Sequence, residues 1–139
     1  MTLKTIEWKD NSVIMIDQTK LPNSLEYVTY TDYNDVATAI RNLVVRGAPA
    51  IGVAGAFGLV LAALQSSAKE KDQLIQDLET AKKILFDTRP TAVNLVWGLE
   101  KIMSVTKGDK TVEQIRGSII ETAKQMARDD IQINMSIGK

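Results

Sequence analysis

Two arginines stand where this sequence could hold an anion. In "VVRGAPAIGVAGAFG", Val44 to Gly58, Arg46 and Gly47 come directly before a helix start at Ala48. The first N–H groups of a helix have no intrahelical partner and carry partial positive charge, so a guanidinium beside such a start suits phosphate. Gly47 lets a ligand approach the backbone closely. The plainer alternative is a surface salt bridge from Arg46 and a simple turn at Gly47. The second arginine is Arg89, in "TRPT". Pro90 disfavours the α conformation at Arg89, which makes Asp87 to Arg89 a corner before a helix opened by Pro90 or Thr91. A guanidinium fork held there can bind phosphate or sugar oxygens bidentately, or can bridge Asp87 or a helix C-terminus. The two signals reinforce each other if both side chains address one cleft.

Other polar positions carry less. Asn94, one turn beyond Pro90, reads as capping neighbouring backbone or orienting a ligand, and Asp17-Gln18 as a turn or a site rim. Trp97 and Met103 read as core. The sequence contains no cysteine and no histidine. That excludes thiol nucleophiles, disulfides, imidazole bases and the commonest soft metal ligands, so chemistry within this chain must use carboxylates, Lys, Tyr, Ser/Thr or backbone groups. Neither the dinucleotide G-x-G-x-x-G nor the phosphate loop ending in Gly-Lys-Ser/Thr is present. Gly52, Gly55 and Gly58 instead recur about once per helical turn. Each lowers helix stability by up to ~1 kcal/mol relative to alanine, so close contact with a neighbouring element or a ligand must compensate.

The elements that position these residues follow from periodicity. "TIEW" and "VIMIDQ", separated by the turn-rich "KDNS", predict a β-hairpin, and "LEYVTY" a third, partly exposed strand. From Thr31 the period changes from two to about 3.6. Thr31 or Asp32 caps a helix with Val36, Ala39, Ile40 and Leu43 on one face. A second helix runs from Ala48 to about Gln65, with Pro49 tolerated in its first turn. Leu74, Leu78, Ala81 and Leu85 mark a third, and Leu95, Leu99 and Ile102 a fourth that stops at Gly108. Ile115, Ile119, Ala123 and Met126 mark a fifth from about Thr111 to Ile133. The fold class is therefore α+β, mainly α: about three antiparallel strands over residues 5–30, then about five helices over 31–135.

Composition sets the wider limits. The 139 residues suit one domain with a real core, and Lys+Arg 17 against Asp+Glu 17 gives a net charge of zero, which argues against a nucleic-acid partner. The polar N-terminus "MTLKTIEWKD" is unlike a signal peptide, giving a cytoplasmic reading. Ala48 to Leu64 is uncharged and near the minimum length of a membrane span. Its weak hydrophobicity, Pro49 and the lack of an aromatic belt make it a buried core helix, with no membrane role.

"MIDQTKLP", "VVRGAPAIGVAGAFGLVLAA" and "TRPTAVNLVWGLEKI", in this order and spacing, resemble the N-terminal half of the methylthioribose-1-phosphate isomerases, and the resemblance spans essentially all of the chain. It implies conversion of 5-methylthioribose 1-phosphate to 5-methylthioribulose 1-phosphate in methionine salvage, with no metal and no organic cofactor. It also implies that Arg46, Gly47, Ala48 and Arg89 contact the sugar-phosphate substrate. The family's catalytic cysteine and aspartate lie in a doubly wound α/β C-terminal domain that residues 1–139 do not include. No catalytic residue is therefore assigned in this chain, which is expected to be inactive alone. Its expected partners are its own C-terminal half and a second copy, since the family forms homodimers. Two relatives remain as alternatives: a ribose-1,5-bisphosphate isomerase, and the non-catalytic regulatory subunits of the guanine-nucleotide exchange factor for translation initiation.

Overall fold

The computed structural model describes residues 6–9, 11–16, 26–41, 48–89, 92–108 and 110–137. Three strands, β1 (Ile6–Lys9), β2 (Ser12–Ile16) and β3 (Tyr27–Tyr30), form an antiparallel sheet in the order β1-β2-β3. Ile6 pairs with Met15, Trp8 with Val13, and Val13 with Tyr30. Because side chains alternate across a strand, these residues share one face, and it is the face that enters the core: Ile6, Val13 and Met15 are buried, and Trp8 and Tyr30 pack against the same cluster. The hairpin turn is closed by Asn11 in the left-handed region, φ 58°, a conformation asparagine tolerates better than most residues.

Five helices follow: α1 (Tyr33–Arg41), α2 (Ala48–Gln65), α3 (Lys71–Thr88), α4 (Val93–Ser104) and α5 (Val112–Ile137). Asp32 caps α1, its Oδ1 accepting from the Asn34 N–H at 2.8 Å. At α5, Thr111 and Gln114 form a reciprocal capping box: the Gln114 N–H donates to Thr111 Oγ1 and the Thr111 N–H to Gln114 Oε1. Gly108, φ 94°, turns the chain after α4.

Helix α2 is the axis of the fold. It touches α1, α3, α4, α5 and β1, and every residue from Ile51 to Ala63 is buried. Such a helix is apolar all round because it has neighbours all round. None of the helices, over the described residues, is long and apolar enough to cross a membrane. The stripes of α3, α4 and α5 meet α2's surroundings as their spacing predicts, with Leu74, Leu78, Ala81, Leu85, Leu95, Leu99, Ile102, Ile115, Ile119, Ala123 and Met126 all buried. Trp8 stacks on Phe57 of α2, ring centroids 5.5 Å apart and planes 4° from parallel, which seats the sheet on that helix.

Helix α5 runs to Ile137, past its expected end at about Ile133, and two boundaries around Arg89 also depart from expectation. Helix α3 continues through Asp87 and Thr88, where a corner is predicted. Thr88 Oγ1 donates to the Leu85 carbonyl at 2.5 Å, satisfying an orphan carbonyl in the last turn and extending the helix to the edge of the proline's influence. Helix α4 begins at Val93, after an extended Ala92, rather than at Pro90 or Thr91.

Candidate functional site

Arg89 occupies the corner between α3 and α4. Its backbone has left the helical region, with φ −149° and ψ 75°. Its N–H donates to the Phe86 carbonyl at 3.2 Å and its own carbonyl accepts from the Ala92 N–H at 3.0 Å. The main chain is thus tied on both sides. The side chain is partly buried, yet its guanidinium makes no ion pair or hydrogen bond among the described residues. Asp87 does not hold it. A partly buried guanidinium on a fixed backbone, with no partner among the described residues, can present its planar fork to an oxyanion.

The corner adjoins two helix starts. A Cβ placed on Gly52 would stand 2.7 Å from the Asn94 carbonyl oxygen, so the early turns of α2 and α4 lie against each other. Neither helix carries an acidic residue in its first turn, whereas α1, α3 and α5 carry Asp35, Asp72 and Glu113 there. Carboxylates at a helix start neutralise the partial positive charge of the free N–H groups. The two starts that lack them belong to the two helices whose early turns meet, and Arg89 directly precedes one of them.

The remaining sequence-derived positions divide. Ala48 is the first residue of α2, but Arg46 and Gly47, directly before it, lie outside the described residues, as do Asp17 and Gln18. Asn94 is in the first turn of α4, and its side chain makes no hydrogen bond among the described residues, so it does not cap them. Met103 is core, 7% exposed. Trp97 is not: it is 54% exposed, with Lys101 Nζ 4.9 Å from its ring centroid. It sits on the side of α4 opposite Leu95, Leu99 and Ile102, where the described residues leave it half exposed.

Two residues escaped sequence reasoning. Gly98 is the counterpart of Gly52 across the helix crossing, and the signal was a lone glycine inside an otherwise regular helical pattern. Arg116 looks like any surface arginine in sequence, yet it binds the end of α2: Nε donates to the Ala63 carbonyl at 2.9 Å and Nη2 to the Ser66 carbonyl at 2.8 Å. Arg116 also lines a depression with Leu64, Ser66 to Lys69 and Thr111 to Glu113. Its donors there are already engaged, which leaves Arg89 as the better candidate for a ligand.

Together the sheet, the buried glycine-bearing helix and the acid-free paired helix starts define an α+β module with a corner suited to an anion. The chain belongs to the initiation factor 2 subunit family, whose model matches residues 44–139. It is 42% identical over 141 residues to the methylthioribose-1-phosphate isomerase of Geotalea uraniireducens, covering 100% of this chain and 41% of that protein. The crystal structure of 5-methylthioribose 1-phosphate isomerase from Pyrococcus horikoshii superposes with a TM-score of 0.90 at 39% identity, over 99% of this chain and 39% of that one. The translation initiation factor eIF-2B delta subunit from A. fulgidus superposes with a TM-score of 0.86 at 40% identity, over 94% of this chain and 38% of that one. The chain thus spans about two fifths of the length of these relatives.

Proposed function

We propose that this chain is the substrate-holding N-terminal part of an aldose–ketose isomerase acting on 5-methylthioribose 1-phosphate. The observation that carries the reading is Arg89: partly buried, fixed at its corner, unpaired among the described residues, and beside two helix starts without carboxylates. Identity to proteins named for that activity supports it. In this reading Arg46, Gly47 and Ala48 at the start of α2 and Arg89 before α4 hold the sugar phosphate. Holding the reactant in one orientation is itself a large part of lowering a barrier.

The reaction breaks the bond from C1 to the ring oxygen and moves the hydrogen on C2 to C1; the C2 hydroxyl gives up its proton as C2 becomes the ketone, the freed ring oxygen takes one up, and the phosphate stays on C1. Nothing is oxidised overall. The acid–base groups for that transfer are assigned to the polypeptide that relatives carry beyond the matched part, in a C-terminal α/β domain. The working protein is assigned as a cytoplasmic homodimer, with no cofactor.

The test is an isomerase assay on the 139-residue chain, alone and combined with the C-terminal portion. No turnover alone and turnover on combination are expected. In the combined protein, Arg89→Ala should raise KM about 10- to 100-fold, as loss of a charge-assisted hydrogen-bond pair implies. Turnover by the chain alone, or an unchanged KM in the variant, overturns the reading.

The likeness to the eIF-2B delta subunit favours a second reading, a non-catalytic assembly module. Binding to an initiation factor together with failure to bind any sugar phosphate would establish it. A ribose 1,5-bisphosphate substrate is separated by assaying both sugars on one preparation, because a thiomethyl group wants apolar walls and a second phosphate wants another cation.

A further inference from the structure

Packed helices are ordinarily held 8–10 Å apart by the side chains between them. At one place α2 and α4 have none. A Cβ on Gly52 would lie 2.7 Å from the Asn94 carbonyl oxygen and 3.4 Å from its carbon. From the other side, a Cβ on Gly98 would overlap the Gly52 carbonyl oxygen and lie 3.0 Å from the Gly52 carbonyl carbon and 3.1 Å from its Cα. These are main-chain atoms inside helices and cannot swing away, so any side chain here must push the helices apart.

The other two glycines of α2 differ in kind. A Cβ on Gly55 would meet Leu95 Cδ1 at 2.6 Å and Leu99 Cδ2 at 3.4 Å, and one on Gly58 would meet the Leu85 methyls at 2.9 and 3.0 Å. Those neighbours are the ends of side chains that can repack. Among the glycines of α2, the backbone-against-backbone contact is at Gly52, in the early part of the helix and against the first turn of α4, which follows the Arg89 corner.

We infer that Gly52, with Gly98 opposite it, is a positioning residue for substrate binding: it holds the first turn of α2 and the first turn of α4 at the spacing that lets both, with Arg89, address one phosphate group. The inference rests on the proposed sugar-phosphate site. Hydrogen bonds from N–H groups operate over 2.7–3.2 Å, so two helix starts moved apart by the width of a methyl group cannot both stay in range. A glycine that served packing alone would lower stability when replaced and leave KM of the folded protein unchanged.

The test compares Gly52→Ala, Gly55→Ala and Arg89→Ala in the complete protein, this chain joined to the C-terminal portion its relatives carry. KM and kcat for methylthioribose 1-phosphate are read beside the thermal midpoint. Gly52→Ala is expected to raise KM about tenfold or more, because displacements near 1 Å are enough to misplace a bound reactant. Gly55→Ala, whose neighbours are side-chain ends that can repack, is expected to lower the thermal midpoint less than Gly52→Ala and to leave KM within about twofold. Arg89→Ala marks the site itself. If it raises KM while Gly52→Ala, at the same folded fraction, does not, the positioning role is overturned and the site stands. If Arg89→Ala leaves KM unchanged, the site reading falls and the inference with it. A second measurement needs no variant: in the 15N-labelled wild-type protein titrated with the same sugar phosphate, amides of Ala50 and Ile51 in α2 and of Val93 and Asn94 in α4 should shift along one binding curve. Shifts confined to one helix overturn the inference.

Discussion

Arg116 on α5 donates from Nε to the Ala63 carbonyl oxygen at 2.9 Å, across 53 positions of sequence. Its Nη2 reaches the Ser66 carbonyl at 2.8 Å and the Ala68 carbonyl at 3.3 Å, and its Nη1 the Glu113 carboxylate at 3.1 Å. Helix α2 has no basic residue in its own last turn. Arg116 supplies the cation that its orphan carbonyls and the negative end of its dipole favour.

Replacing Arg116 by methionine keeps most of the apolar stem and removes every donor. It should lower the unfolding free energy by about 2–3 kcal/mol, given charge-assisted bonds to carbonyls at a largely buried helix end. Arg116→Lys should recover only part, since an ammonium cannot present the planar fork to two carbonyls at once. Urea denaturation followed by circular dichroism measures both, and equal stability of the methionine variant and wild type would contradict this account.

The two tryptophans should behave differently. Trp8 lies against Phe57 with its ring plane 4° from parallel, whereas Trp97 is 54% exposed, with the Lys101 ammonium 4.9 Å from its ring centroid. An exposed cation–π contact contributes about 0.5–1 kcal/mol, so Trp97→Ala should change stability by less than ~1 kcal/mol. Trp8→Ala should destabilise by about 2–3 kcal/mol, below the full range for a fully buried aromatic because Trp8 is only partly buried. Iodide should quench the fluorescence of the Trp8→Phe variant, whose remaining indole is Trp97, more than that of Trp97→Phe.

Left-handed backbone gives a third test. Asn11 holds φ 58° in the hairpin turn and Gly108 φ 94° after α4. Asn11→Gly should be neutral, while Asn11→Val should cost about 1–3 kcal/mol because a β-branched residue is strained there. Gly108→Ala should cost ~1 kcal/mol or more by the same reasoning, although a Cβ there meets no neighbour. Thermal unfolding measures each change, and a midpoint for Asn11→Val equal to that of Asn11→Gly would contradict the strain.

Much of this architecture is legible in the sequence, because the signals that build it are local. The spacing of Leu74, Leu78, Ala81 and Leu85 repeats with the turn of a helix, and all four are buried. Asp32 before α1 and Thr111 before α5 cap the helices they precede. The apolar run of α2, which by length could suggest a membrane, is the protein's central core helix, and its bounds, Ala48–Gln65, match the pattern of Pro49 and the polar residues after Gln65. Arg89 as a corner residue before a helix is likewise read from the following proline.

By itself, then, the sequence determined which segments are strands and helices, which face of each is apolar, and that the α2 glycines need a close neighbour. Only the tertiary structure decided who that neighbour is. Gly52 meets Asn94 and Gly98, Arg116 closes the far end of α2, and Trp97 stays outside because none of the described elements packs on its side of α4. Periodicity and capping depend on residues a few positions apart, whereas these contacts join residues about 40 to 50 positions apart, and nothing in a local pattern says which helix will lie against which.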